Sequence, residues 1–358
     1  MFGALFLSII IDSSFVDVID ADYILEDELI LETEVTVGEE GKNVVFYDAC
    51  ICDDALYIVG GAVRYADYGG MDGLVLKYNN KRIEWLEVFG GSKTDLFKSI
   101  QCGEQILAFG ESSSIDYDLY GNDTSNYKSL FTVALDSSGN KLWSHFYRDK
   151  FDLVVTNSDG YYITGTDDHI SNKVAFVGKY SSEGVFAYNE YPLDSPVTIH
   201  DILVRDKVYL VGSSMSGEVL GQRGIVIEID KEVNTYHDTR GEISFFNSIE
   251  YIDDIYITGV ENLHEMQTHG DSRGFYGMYN SEFDLIKYDF NIIKQYDGNH
   301  YGMDYDKGYK IRLSNKEVDI EGTLVKVLDE YIVYTTNDTV KQGKIMCLET
   351  ISYRWTLL

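Results

Sequence analysis

Five short apolar segments recur along this chain, each ending in glycine: Leu56-Tyr57-Ile58-Val59-Gly60, Ile106-Leu107-Ala108-Phe109-Gly110, Tyr161-Tyr162-Ile163-Thr164-Gly165, Val208-Tyr209-Leu210-Val211-Gly212 and Ile255-Tyr256-Ile257-Thr258-Gly259. Their glycines lie 50, 55, 47 and 47 residues apart. A period of that length marks a repeat architecture, whose units cannot bury their own faces and must stack on neighbours. A sixth copy, Tyr331-Ile332-Val333-Tyr334-Thr335, puts Thr at the glycine position. Each segment is too short for a helix and rich in β-branched and aromatic residues. An unbroken apolar run of this kind suits a strand buried on both faces.

The flanks supply the rest of the unit. A turn with Asp or Gly precedes each copy, as at Asp53-Asp54, Gly103-Glu104, Asp159-Gly160, Asp253-Asp254 and Asp329-Glu330. Upstream lies another apolar stretch, such as Phe46 to Ile51, Leu96 to Gln101 or Phe245 to Tyr251, so each pair reads as a hairpin. After a polar loop comes a third strand: Gly73 to Tyr78, Ser129 to Leu135, Val174 to Tyr180, Gly224 to Asp230, Gly274 to Tyr279 and Gly343 to Glu349. All three tryptophans, Trp85, Trp143 and Trp355, then fall at one phase, in a fourth strand. Four antiparallel strands repeated radially make a β-propeller.

The expected fold is therefore all-β, a single β-propeller domain over residues 1–358 with seven four-stranded antiparallel blades. At the N-terminus, Ala4 to Ile11, Phe15 to Ile19 and Leu29 to Val37 read as second, third and fourth strands. The C-terminal blade begins near Thr323 and ends with Tyr353 to Leu358. The two ends are expected to meet, so that the N- and C-terminal strands close the ring and remove exposed edges. Residues 292–322 interrupt the pattern, as an insertion or as a degenerate extra blade with Gly308 to Leu313 as a strand.

A formal net charge of −31 argues against nucleic acid, whose phosphates such a surface repels. It equally disfavours an anionic membrane surface. Met1 to Ile11 is apolar but lacks a basic flank and a small-residue cleavage site, and it is too short to span a bilayer. It reads as a strand of the fold, with no signal peptide, no membrane insertion and no other transmembrane candidate. Four cysteines are too few for a disulfide scaffold in a chain of this length.

The repeat resembles the seven-bladed propeller repeats of prokaryotic and viral proteins, which read as a hairpin ending "GGYIVAG", a strand ending "LD-x-x-G-x", then "W" and a "YGG" turn. Leu56 to Gly61, Gly73 to Asn80, Trp85 and Phe89-Gly90-Gly91 follow that order. Ala134-Leu135-Asp136-Ser137-Ser138-Gly139-Asn140-Lys141-Leu142-Trp143 repeats part of it. The likeness covers most of the chain and is sharpest over residues 48–166. It implies the propeller fold and a surface, secreted or structural role.

Candidate chemistry is sparse. Asp116-Tyr117-Asp118-Leu119-Tyr120-Gly121-Asn122-Asp123 partly imitates a calcium loop, but Tyr120 stands at the fifth position and no Glu closes it. Asp304-Tyr305-Asp306 is weaker. His264, His269 and Asp271 offer transition-metal ligands at a spacing unlike that of a zinc-protease helix. These read as solvated loops, and neither a metal nor a cofactor is expected. Cys52 and Cys102 each precede their glycine by eight residues and so count as equivalent positions on neighbouring inner strands. Such strands are usually too far apart for a disulfide, which makes both free thiols. Gly69 to Gly73 leads into a strand, so no helix terminus awaits a phosphate. Asn122 and Asn337 begin sequons that matter only outside the cell.

The functional expectation is a non-catalytic binding or structural module, a virion or cell-surface component contacting other proteins or a receptor or glycan. A cytoplasmic scaffold is the alternative location, since no export signal is present. The loops 61–72, 111–128 and 260–273 all follow a second strand, so they cluster on one face of the ring. Tyr65, Tyr68, Tyr117, Tyr120 and Tyr127 are its expected aromatic anchors. The competing expectation is a glycan-acting hydrolase or lyase with carboxylates at the channel mouth.

Overall fold

The computed structural model describes residues 25–38, 43–63, 70–116, 129–147, 155–157, 162–167, 174–181, 186–215, 222–239, 243–251, 253–262, 272–280, 282–288, 291–296, 299–304, 308–313, 316–320, 322–328, 331–336 and 341–354. Strand β1 (Leu25–Val37) comes first. Blade 1 is β2 (Val44–Cys52), β3 (Ala55–Val63), β4 (Met71–Asn79) and β5 (Arg82–Phe89). Blade 2 is β6 (Asp95–Cys102), β7 (Ile106–Ser112), β8 (Ser129–Leu135) and β9 (Lys141–Tyr147). Blade 3 is β10 (Val155–Asn157), β11 (Tyr162–Asp167), β12 (Val174–Tyr180) and β13 (Phe186–Pro192). Blade 4 follows with β14 (Val197–Val204), β15 (Val208–Met215), β16 (Gln222–Ile229) and β17 (Val233–His237). Blade 5 is β18 (Ile243–Tyr251), β19 (Ile255–Asn262), β20 (Ser272–Tyr279) and β21 (Phe283–Tyr288). Blade 6 is β22 (Asn291–Tyr296), β23 (Asn299–Asp304), β24 (Gly308–Leu313) and β25 (Lys316–Ile320). Last come β26 (Gly322–Leu328), β27 (Tyr331–Thr336) and β28 (Gly343–Arg354).

Each of the first six blades is an antiparallel sheet in chain order, and the seventh has the order β1-β28-β27-β26. Leu29 to Val37 is thus an outermost fourth strand, as its phase implied, and the N- and C-terminal strands share a sheet. Residues 291–320 form a four-stranded sheet of their own with Gly308–Leu313 as its third strand, which decides for the extra blade over the insertion. Among the described residues the N-terminal region contributes one strand, to the seventh blade. Ala4 to Ile11 and Phe15 to Ile19 lie outside the described residues. In addition, β28 runs unbroken to Arg354, because β1 already occupies the fourth position that Tyr353 to Leu358 was expected to fill. Trp355 lies beyond the described residues, whereas Trp85 and Trp143 sit in fourth strands as expected.

Two compact units divide the chain. The smaller, residues 1–30 with 349–358, is described as strand at 25–30 and 349–354. The larger, residues 31–348, carries all that follows.

The unbroken apolar runs now have their reason. In β3, Leu56 and Ile58 point into a cluster with Val325, Val333 and Ile345 of blade 7. Tyr57 and Val59, alternating with them, pack with Phe97, Ala108, Phe131 and Val133 of blade 2. A strand that serves two seams needs apolar side chains on both faces. The same division continues at the 2/3 seam, where Leu107, Phe109 and Leu130 meet Phe176 and Tyr180, and onward through blades 4 and 5. Burying each such side chain contributes about 1.5–3 kcal/mol before entropy is counted.

The repeat glycine is explained by a β-bulge. The first strand carries one extra residue at Tyr47, Lys98, His200, Asn247, Ile293 and Val325. The bulge bends the strand so that its carbonyls crowd the facing second strand. A Cβ on Gly60, Gly110, Gly212 or Gly259 would meet the carbonyl oxygen of Val45, Leu96, Thr198 or Phe245 at 2.0, 1.9, 1.9 or 2.2 Å. Register also finds a member that periodicity missed: Gly302 faces Ile292 at the blade 6 bulge. No apolar run precedes it, since Asn299-His300-Tyr301 is polar. In blade 7 the residue facing the bulge is Tyr334, not Thr335, because Leu324 pairs with Tyr334.

Candidate functional site

Strand direction gives the ring two unlike faces. The chain runs out along first and third strands and back along second and fourth. First–second and third–fourth turns therefore share one end, and second–third loops and blade-to-blade connections share the other. The turn end is tight: Asp53-Asp54 and Asn80-Lys81 have consecutive positive φ values of 49°, 59° and 49°, 61°. Two residues in that conformation make the type I′ turn that matches strand twist. The turn 136–140 is capped by Asp136, which accepts from the Ser138 and Asn140 amides at 2.9 Å. Gly139, at φ +89°, lies under the Trp85 ring, whose Nε1 donates to the Ser137 carbonyl (3.2 Å).

The loop end has a buttress beneath its longest described root. Asp95, fully buried at the start of β6, accepts from the Gly91 amide (2.9 Å), Ser112 Oγ (2.6 Å) and Ser114 Oγ (2.7 Å). Ser114 Oγ accepts from the Lys93 amide (2.9 Å), and Asp116 Oδ1 from the Ser92 amide (2.8 Å). That amide bond holds the Asp116 carboxyl below its usual range. The Gly90-Gly91 turn is demanded by the same packing. A Cβ on Gly90 would meet the buried Asp72 carboxylate at 2.0 Å, and one on Gly91 would meet Ser114 and Asp116 at about 2.5 Å. The result is a rigid ledge joining residues 90–95 to 112–116, from which residues 117–128 depart.

First strands line the inner ring: β2 packs against β6 and β26, β14 against β10 and β18, and β18 against β22. Asp48 bonds to both neighbouring blades. Its Oδ2 accepts from Ser99 Oγ (2.9 Å) and the Ile100 amide (3.0 Å) of blade 2. Its Oδ1 accepts from Lys326 Nζ of blade 7 (2.7 Å). Asp201 repeats the motif, with Oδ2 accepting from the Ile249 amide of the next blade (3.0 Å). His200 Nδ1 lies 2.8 Å from the Phe246 carbonyl. Lys98 forms an ion pair with Glu111, which is 2% exposed. Burial and then the Glu111 charge push the Tyr47 hydroxyl above its ordinary pKa.

Tyr65, Tyr68, Tyr117, Tyr120 and Tyr127 lie outside the described residues, as do His264, His269, Asp271, Asn122, Asn337 and Asp306. Of the imitation calcium loop only Asp116 is described, and it is bonded to Ser92. Among the described residues no group of three His, Cys, Asp or Glu side chains is placed to hold a metal ion.

The cysteine expectation is overturned. Cys102 is joined in a disulfide to Cys50, with Cα atoms 6.2 Å apart, while Cys52 is free. The equivalence of Cys52 and Cys102 failed because β2–β3 turns in two residues and β6–β7 in three. Register places Ile51 opposite Leu56 and Cys102 opposite Ile106, so counting from the glycine is one residue out.

No family model matches the chain, and no curated protein matches its sequence. Solved structures do. The AfRom2 CNH domain is 10% identical, with 89% of this chain and 98% of that one covered at a TM-score of 0.50. The β-propeller domain of the Trilobed protease from Pyrococcus furiosus, described as having an open velcro topology, is 12% identical over 87% and 97%, at 0.48. Pyrococcus horikoshii acylaminoacyl peptidase is 9% identical, with 87% of this chain and 52% of that one covered, at 0.47. At these identities the likeness is one of fold.

Proposed function

We propose that the protein is a non-catalytic binding or structural module of the propeller class. It acts at a virion or cell surface and contacts a protein, receptor or glycan through its loop end. Propellers serve both as binding modules and as enzymes, so the fold alone does not decide. The observation that carries the reading is how the two ends divide the work. Among the described residues, tight turns make up one end, whereas at the other a ledge built on Asp95 leads into residues 117–128. Rigid scaffolds that present variable loops are the usual design of recognition surfaces. The inner ring also supports it: Asp48 and Glu111 each bond a lysine, and a glycosidase needs one carboxyl to carry a proton and another to act as base or nucleophile.

The test has two parts. Native mass and partner content would be measured on protein purified from its own source, where recovery in a large assembly is the expected result. A lone monomer that hydrolyses glycans would sink the proposal. Replacing Tyr65, Tyr68, Tyr117, Tyr120 and Tyr127 with Ala should abolish recovery in the assembly while leaving the melting temperature unchanged.

A further inference from the structure

Three of the four cysteines converge on one corner of the molecule. Cys50, Cys52 and Cys102 all pack against the apolar cluster between blades 1 and 2, beside Trp85 and Phe146. Cys50 and Cys52 stand two apart on β2 and so point to the same side of the strand. Cys102 ends β6, the neighbouring inner strand, and the Cys52 thiol lies 3.6 Å from the carbonyl of Gly103. We propose that Cys50–Cys102 is an inter-blade staple formed in the mature protein, and that the chain therefore folds where disulfide donors operate. Four cysteines in a chain of seven blades suggest no cross-linked scaffold, and the proposal does not depend on any role for the loop end.

The geometry selects the pair. A separation of 6.2 Å between Cα atoms is within the span of an unstrained disulfide, and the bond joins residues 52 apart. The closed segment holds the whole of β3, β4 and β5, so the link ties the first complete blade to the second. Reducing compartments keep thiols open, and stable disulfides are a feature of oxidising ones.

The chemistry balances with a disulfide donor such as oxidised glutathione or an oxidoreductase disulfide. One of the two thiolates attacks the donor, forms a mixed disulfide and expels one donor thiol. The other thiolate then attacks the protein sulfur, closes Cys50–Cys102 and expels the second donor thiol. Two protein thiols are oxidised, and two electrons and two protons end on the donor. Cys52 does not compete well as an attacking group, since burial and the adjacent Asp53 raise its pKa and keep it protonated.

The experiment uses protein from its natural source, quenched in acid and alkylated under denaturing conditions. It is then reduced and alkylated with a second, mass-distinct reagent. The expected result is two cysteines carrying the first label, Cys52 and Cys347, and two carrying the second, with an unreduced peptide joining residues 50 and 102. First label on all four would overturn the proposal, and a Cys52–Cys102 peptide would overturn the pairing. In parallel, reduction should lower the melting temperature by about 5 °C, the size expected for closing a loop of this length in a chain this long. Cys50→Ser with Cys102→Ser should melt with the reduced protein and ignore reductant. A double variant that still loses stability on reduction would also overturn the proposal.

Discussion

The seam between blades 7 and 1 and the seam between blades 2 and 3 use the same parts differently. Tyr180 of blade 3 crosses to blade 2, packs on Phe109 and Trp143, and shares a 2.9 Å hydrogen bond with Thr132. Tyr78 holds the equivalent place in blade 1 and meets Tyr331 edge-on, with ring centroids 6.0 Å apart. Register puts Ile345 where Thr132 stands, so the Tyr78 hydroxyl, 1% exposed, has no hydrogen-bond partner among the described residues. The 7/1 seam recovers polar contact at its inner rim. There Lys326 reaches Asp48, the Phe46 amide donates to Thr335 Oγ1 (3.0 Å), and the Val44 amide donates to the Lys341 carbonyl (2.9 Å). Gly343 leaves room for the Phe46 ring, as Gly73 does for Phe97 and Gly224 for Phe246. At both seams the chain passes directly from one blade's fourth strand to the next blade's first, from β1 to β2 as from β9 to β10. The 7/1 seam adds the charge-assisted Lys326–Asp48 bond where the first strands meet.

The largest effect should come from Asp48→Ala, which removes the bonds to Lys326, Ser99 and the Ile100 amide at once. We expect a loss of about 3 kcal/mol in chemical denaturation. A loss below about 1 kcal/mol would show that this polar contact adds little to the 7/1 seam. Next, Gly110→Ala should cost about 2–3 kcal/mol, because the new Cβ lands on the Leu96 carbonyl of the bulge. The same measurement checks it, and a loss below about 1 kcal/mol would mean that the bulge relaxes freely.

The tyrosine pair sharpens the comparison at smaller scale. Tyr180→Phe should destabilise by about 1–1.5 kcal/mol, since Thr132 is left buried without its partner. Tyr78→Phe should be neutral or stabilising, and Ile345→Thr should make Tyr78→Phe costly in a double-mutant cycle. Zero coupling in that cycle would show that the two positions do not meet. The smallest effect concerns the closing strand. Burial pushes the Glu34 carboxyl up, but hydrogen bonds from Lys344 (2.8 Å) and Tyr334 (2.9 Å) prevail and hold it below the ordinary glutamate range. A carboxyl depressed in the folded state stabilises above its unfolded pKa and loses that contribution as pH falls through the folded value. Glu34→Gln should therefore reduce stability by about 0.5 kcal/mol at pH 7, with the gap to the parent closing below about pH 4 in acid melts.

Much of the fold was legible before any coordinates. Glycine every fifty residues, the Asp-rich turns and two tryptophans at one phase each reflect a local demand repeated blade by blade, and local demands survive in a linear pattern. Blade 6 was legible only as one of two alternatives, because Gly302 follows polar residues, so its strand carries the bulge geometry without the apolar signature. The ledge under the loop end was half legible. The Gly90-Gly91 turn was visible as a motif, but its cause, the carboxylates of Asp72, Asp95 and Asp116, comes from three elements that meet only after folding.

The sequence by itself determined the period, the four-stranded unit and the alternation that sends Leu56 and Ile58 to one seam and Tyr57 and Val59 to the other, because spacing and side-chain period are properties of the chain. The tertiary structure alone decided which cysteines pair, which residue faces the blade 7 bulge and which strand completes that blade. Those outcomes depend on bulges and turn lengths that shift register by one residue, and in a sheet a shift of one residue exchanges one face for the other.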